Sequence, residues 1–166
     1  MRTIEEIYKI YEKPIFHYFY GLTGDTHLAE ELTQETFFQV LRTFSGFRGD
    51  AQVTTWLYKV ARNVYSMWKR KHKVGYPLLE SEQVRGPAAF EPETVLERKD
   101  KLNLTRRVLQ ELSENYREVF WLREWHELAY EQIAVITGKS VPWVKVTLHR
   151  ARLQFRKTYA EMEGKE

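Results

Sequence analysis

Apolar residues recur at three- and four-residue spacing along almost all of this chain, and that period confines the fold to packed α-helices. Ile4, Ile7, Tyr8, Tyr11 and Ile15 line one side of a first helix over Thr3 to Tyr20, with Pro14 placed to kink or split it. Gly21 and Gly24 are placed to end it, and Asp25 or Thr26 to cap a second helix. The core stripe of that second helix is Leu28, Leu32, Val40, Leu41 and Phe44. A third starts near Thr54 or Thr55, either of them suited to the N-cap, and turns Trp56, Val60, Ala61, Val64 and Met67 inward. The period fails from Val74 to Val95, where Pro77, Pro87 and Pro92 stand among Gly75, Gly86, Glu80, Glu82, Glu91 and Glu93. That stretch reads as a linker and a domain boundary. Helical signals resume near Thr94, with Leu102, Thr105, Val108, Leu109 and Leu112 on the apolar side. Ser113 is expected to cap the next helix, which begins at Glu114, and shorter helices follow from Tyr130 to Thr137 and from Val141 to about Tyr159. The expected class is all-α: two small helical domains joined by a flexible linker, the C-terminal one containing a helix-turn-helix.

Charge is distributed unevenly. The net charge is only +3, yet residues 69–73 read KRKHK, and Lys139, Lys145, Arg150, Arg152, Arg156 and Lys157 follow one another with no acid between them. Two separate cationic surfaces suit a polyanion better than a small acidic ligand. The absence of cysteine excludes disulfides, thiol catalysis and thiolate zinc sites. Acids early in MRTIEEIYKIYEK argue against a secretory signal, and no apolar run approaches the roughly 20 residues of a membrane helix. A soluble protein is expected, without direct membrane insertion. His17, His27, His72, His126 and His149 are scattered, and no phosphate-binding loop, nucleophile elbow or dinucleotide turn is present. Neither catalysis nor a cofactor or metal ion is expected.

Three helical faces carry the chemistry. Glu31, Gln34, Glu35 and Phe38 fall at i, i+3, i+4 and i+7. A phenylalanine among carboxylates there suits a protein contact, although one tucked against a neighbouring helix would look the same. Lys59, Arg62, Asn63, Ser66 and Arg70 run along the polar side of the third helix, a stripe able to enter a groove or track phosphates. The third face belongs to YEQIAVITGKSVPWVKVTLHRARLQFRK. In it Ile133, Ala134 and Ile136 pack a short helix, Gly138 supplies the turn, Ser140 caps the second helix, and Pro142 occupies its first turn. Val144, Leu148, Ala151 and Phe155 form its buried side. Lys145, His149, Arg152 and Arg156 face outward, with Thr147 and Arg150 beside them. Such a helix fits the major groove of DNA.

Together these segments resemble the small two-domain bacterial sigma factors of the extracytoplasmic-function (ECF) type, over nearly the whole chain. HLAEELTQETFFQVLRTF is similar to the family's segment that binds the clamp helices of core RNA polymerase, which implies a contact through Glu31, Gln34, Glu35 and Phe38. FRGDAQVTTWLYKVARNVYSMWKRK resembles its promoter-melting loop and −10 helix. The resemblance implies −10 binding and melting by Phe47, Arg48, Asp50, Gln52, Thr54, Lys59, Arg62, Asn63 and Arg70. LSENYREVFWLREWHELAYEQIAVITGKSVPWVKVTLHRAR resembles its −35-binding domain, implying contacts from Trp143, Lys145, Thr147, His149, Arg150 and Arg152. The implied domains are region 2 over residues 1–74, a linker over 75–96 and region 4 over 97–166. The implied partners are the clamp helices and flap of core RNA polymerase, promoter DNA and an anti-sigma factor. The implied location is the cytoplasm, where such an inhibitor could hold the factor at the membrane. Trp56 reads as core, while Trp68 and the KRKHK tail fit either a DNA contact or a structural role.

The chain departs from the family pattern at Pro142-Trp143, where Gly-Thr is common, and at Val146-Thr147, where Ser-Arg is common. Ala129 also stands where a capping Ser or Thr is usual, at a cost of about 1 kcal/mol. The competing expectation is a stand-alone helix-turn-helix regulator that binds DNA without polymerase. The acidic face would then have no task.

Overall fold

Capping chemistry sets the first two helices. In a computed structural model, which describes residues 2–44, 50–72 and 93–165 (side chains of 2–44, 53–72 and 101–165), α1 spans Ile4–Thr23 and α2 Thr26–Thr43. Thr3 opens α1 through a capping box: its hydroxyl accepts from the Glu6 amide at 3.2 Å, and the Glu6 carboxylate accepts from the Thr3 amide at 3.0 Å. Of the kink or split expected at Pro14, the split does not occur: α1 is one helix across it. Ile7, Ile15, Tyr18, Phe19 and Leu22 are buried on both sides of the proline, and packing of that stripe outweighs one lost hydrogen bond. Gly24 ends the helix in the left-handed region, φ 67°, whereas Gly21 lies inside it. Asp25, not Thr26, caps α2 by accepting from the Leu28 amide at 3.1 Å.

The core side of α2 is Ala29, Leu32, Thr33, Thr36, Phe37 and Val40. Leu41, expected in that stripe, is 59% exposed. The threonines take part because each hydroxyl donates to the carbonyl four residues back, Thr33 to Ala29 at 2.6 Å and Thr36 to Leu32 at 2.7 Å. Helix α3 spans Asp50–His72, so it begins before the threonines expected to cap it. It buries Val53, Leu57, Tyr58, Ala61, Val64 and Tyr65, with Trp56, Val60 and Trp68 partly buried against the same core. Met67 is instead exposed.

Helix α4 covers Glu93–Glu111, α5 Glu114–Glu124, α6 Tyr130–Thr137 and α7 Val141–Glu163. Among the described residues no strand occurs, so the all-α reading stands. Residues 75–92 of the expected linker lie outside the described residues. On α4, Leu102 of the expected apolar side is exposed, while Val108, Leu109 and Leu112 are buried. Ser113 sits at the N-cap of α5 without a side-chain capping bond. The α4–α5 corner is held by Arg117, whose guanidinium donates to the carbonyls of Leu109 (2.8 Å), Gln110 (2.9 Å) and Leu112 (3.0 Å), and to Leu22 of α1 (3.0 Å). Between α6 and α7, Gly138 takes φ 71° and Ser140 accepts from the Trp143 amide at 3.2 Å. This turn matches the expected one.

One hydrophobic cluster runs from Ile7, Phe19 and Leu57 through Val119 and Leu122 to Ile133 and Leu148. The N-terminal and C-terminal helices therefore share a core, with α1 packed on α5 and α3 on α6.

Candidate nucleic-acid and protein interfaces

The acidic face of α2 is open to solvent. Glu31, Gln34 and Glu35 are exposed, and Phe38 is 53% exposed with the Arg42 guanidinium 5.9 Å from its ring centroid. Gln39 donates to Glu35 at 2.9 Å and steadies that carboxylate. Exposed Leu41, read from the sequence as core, extends the apolar part of this face beside Phe38. Its period alone could not reveal this, because position 41 lies at the edge of the buried ladder.

The polar stripe of α3 divides in two. Lys59, Asn63 and Arg70 face solvent. Arg62 does not: its Nε donates to both carboxylate oxygens of Glu118 on α5, at 3.1 and 3.2 Å. Glu118 is buried and also accepts from the Tyr18 hydroxyl at 2.7 Å. Burial, followed by the field of Glu118, raises the Tyr18 pKa well above its ordinary value, so this hydroxyl stays protonated and donates. Lys69 pairs with Glu114 at 2.5 Å and lies 4.7 Å from the Tyr65 ring centroid. Trp68, just before it, stacks on His72 at 4.6 Å, while Arg70 and Lys71 are exposed. Thr54, expected to meet a base, shares a 2.6 Å hydrogen bond with the Tyr11 hydroxyl. Phe47 and Arg48 lie outside the described residues, as do the side chains of Asp50 and Gln52.

On α7, Lys145, His149 and Arg150 are exposed together, as the spacing implies. Thr147 corrects the expectation. It is 6% exposed, because it joins Val144, Leu148 and Ala151 at the i, i+3, i+4, i+7 positions of the buried ladder. Arg152 bonds Glu124 at 2.5 Å, so its head lies over the end of α5. Trp143, implied as a −35 contact, packs partly buried against the core with the Lys139 ammonium 5.4 Å from its ring centroid. Ala129 lacks a side-chain cap, but its amide donates to Gln132 at 2.9 Å, the one half of a capping box that alanine permits and the sequence reading missed.

Residues 7–74 match the family described as sigma-70 region 2, and residues 102–155 match sigma-70 region 4. Over 167 aligned residues the chain is 35% identical to the RNA polymerase sigma factor YlaC of Bacillus subtilis, covering 99% of this chain and 96% of that protein. The chain belongs to the sigma-70 family, as an RNA polymerase sigma factor of the ECF type. It is likewise 33% identical to the ECF RNA polymerase sigma factor SigM of the same bacterium, with 95% of each chain covered. The sigma factor RpoE of Bartonella quintana, solved in complex with the anti-sigma factor NepR, shares the fold: TM-score 0.75, 19% identity, 93% of this chain and 94% of that one covered. The acidic face thus falls in region 2 with the divided α3 stripe, and the helix-turn-helix falls in region 4. Among the described residues no cluster of metal-ligating side chains occurs, and no helix is long and apolar enough to cross a membrane.

Proposed function

We propose that this sigma factor divides its work among the three helical faces. The exposed Glu31, Gln34, Glu35 and Phe38 face binds the clamp helices of core RNA polymerase, its carboxylates complementing a basic partner surface. Region 2, residues 1–74, reads and melts the −10 element through Lys59, Asn63, Arg62 and Arg70 together with Phe47, Arg48, Asp50, Gln52 and Thr54. Melting needs bases to leave the stack, at a few kcal/mol per step, and a loop of polar side chains to receive them. Region 4, residues 97–166, lays α7 in the major groove of the −35 element, with Lys145, His149 and Arg150 toward the DNA and Arg152 at the margin. Residues 75–96 join the two and let them reach separate elements.

The factor recognises DNA rather than catalysing a reaction. It works in the cytoplasm, and an anti-sigma factor holds it inactive. The observation that carries this reading is one chain presenting an open acidic helix beside two cationic ones, each within a matched sigma region. The test is the Glu31→Lys/Glu35→Lys variant. Like charge against a basic clamp surface should lower transcription about a hundredfold, while the melting temperature moves by no more than about 2 °C. Wild-type transcription from that variant would contradict the assigned polymerase contact.

A further inference from the structure

Helix α7 carries an apolar side chain in the middle of the face that should meet DNA. Its buried ladder is Val144, Thr147, Leu148, Ala151 and Thr158. At about 100° per residue, Pro142, Val146, His149 and Leu153 fall within about 40° of the direction opposite that ladder. All four are exposed, Val146 by 49% and Leu153 by 52%. Lys145 and Arg150 stand about 60–80° to either side of the same direction. The outermost line of the helix is thus mostly apolar, and the cations flank it.

Contacts within the fold hold one flank in place. The Lys145 ammonium lies 5.7 Å from the ring centroid of Tyr130 on α6, and Arg152 bonds Glu124 on α5. Both heads therefore lean toward α5 and α6, away from the central line. Arg150 and Lys157 form the other flank and are exposed. A helix seated in the major groove turns its central line to the base edges and its flanks to the groove walls. Cations on both flanks can then reach phosphates of the two strands.

The central residues differ in what they can do there. Base edges are met by the N-terminal part of such a helix. Val146 stands in the second turn of α7, whereas Leu153 comes about two turns later. Pro142 serves the helix start, and His149 can hydrogen-bond a base edge through its ring. Val146 has neither donor nor acceptor. Set against a bare polar base edge, it would strip away water without replacing the hydrogen bond. The one apolar group that the major groove offers is the C5-methyl of thymine. Valine gains by burying that methyl, and its χ1 is already fixed in a helix, so little freedom is lost on contact. A serine at this place, common in the family, could bond a base; valine exchanges that bond for a methyl contact. Thr147, the neighbouring departure, is buried and takes no part.

We infer that Val146 is a specificity-determining residue that reads a thymine C5-methyl in the −35 element. The inference rests on the region 4 reading above.

The test uses the full chain bound to core polymerase and the promoter selected by that holoenzyme. Each thymine of the −35 element, on either strand, is replaced singly by deoxyuridine, which removes only the methyl. At one position the replacement should weaken wild-type binding about fourfold, the effect of one methyl left unburied. Holoenzyme carrying Val146→Ser should bind the thymine and uracil duplexes alike. Val146→Thr keeps one methyl and should still distinguish them. Wild-type binding that changes by less than about 1.5-fold at every position would overturn the inference. So would an undiminished loss in Val146→Ser. A selected promoter with no −35 element would instead reject the region 4 reading beneath it.

Discussion

The two cationic helices are built from similar residues but stand in different conditions. Helix α7 turns Lys145, His149 and Arg150 to solvent, ready for a groove. Helix α3 exposes Lys59, Asn63 and Arg70 but commits Arg62 and Lys69 to acids of α5. A cation is free for a nucleic acid only if nothing closer neutralises it, and Arg62 is already paired with the buried Glu118. The difference teaches that region 4 is presented and region 2 is guarded. The same helix, α5, supports the first and supplies the guard.

The comparison can be broken most forcefully at Trp121. Trp121→Ala empties both the seat on Gly21 and the cluster with Leu109 and Leu112, and denaturant unfolding should register a loss of about 3–5 kcal/mol. A loss below about 1 kcal/mol would mean that the regions do not rely on this contact.

Next comes Arg62 set against Lys145. Arg62→Ala strands the buried Glu118 carboxylate and should cost the free chain about 2 kcal/mol of stability. Lys145→Ala and Arg150→Ala should leave stability within about 0.5 kcal/mol, yet weaken −35 duplex binding by about 1–3 kcal/mol where a base edge is contacted. Equal melting of the three variants would erase the distinction between guarded and presented cations.

Acid gives the finest probe. His126 lies between the two regions, with the Tyr58 hydroxyl on Nδ1, the rings of Tyr18 and Trp121 against it, His17 nearby, and Nε2 buried without a hydrogen bond. Burial, then the field of His17, pushes its pKa down to about 3. The unfolded chain takes up the proton near pH 6.5, so it binds more protons than the folded chain between pH 6.5 and 3. Stability is complete above about 6.5 and falls as the pH drops, by about 1.4 kcal/mol per unit. Denaturation midpoints at pH 7.5 and 5.5 should differ accordingly, and His126→Asn should flatten the difference. A wild-type midpoint constant over that range would place His126 in solvent.

Much of this was legible in the sequence wherever the determinants are local. Gly138, Ser140 and Pro142 define their turn within a few residues, and α2 declares its acidic face by spacing alone. Long-range partners leave no such trace. Arg62 looked like a phosphate contact because Glu118 stands far along the chain, on another helix. Gly21 read as a stop because glycine ends helices more often than it admits an indole. Thr147 looked outward by its polarity, yet its position between Val144 and Leu148 placed it in the core. His126 carried no motif, and its importance comes only from where two regions meet.

The most direct measurement is selection from a randomised double-stranded DNA pool, with and without core RNA polymerase, at one fixed salt concentration. The account predicts enrichment of a paired −35/−10 motif only when the polymerase is present. Tight, specific binding by the chain alone would contradict it, and would make this an independent regulator rather than an initiation factor.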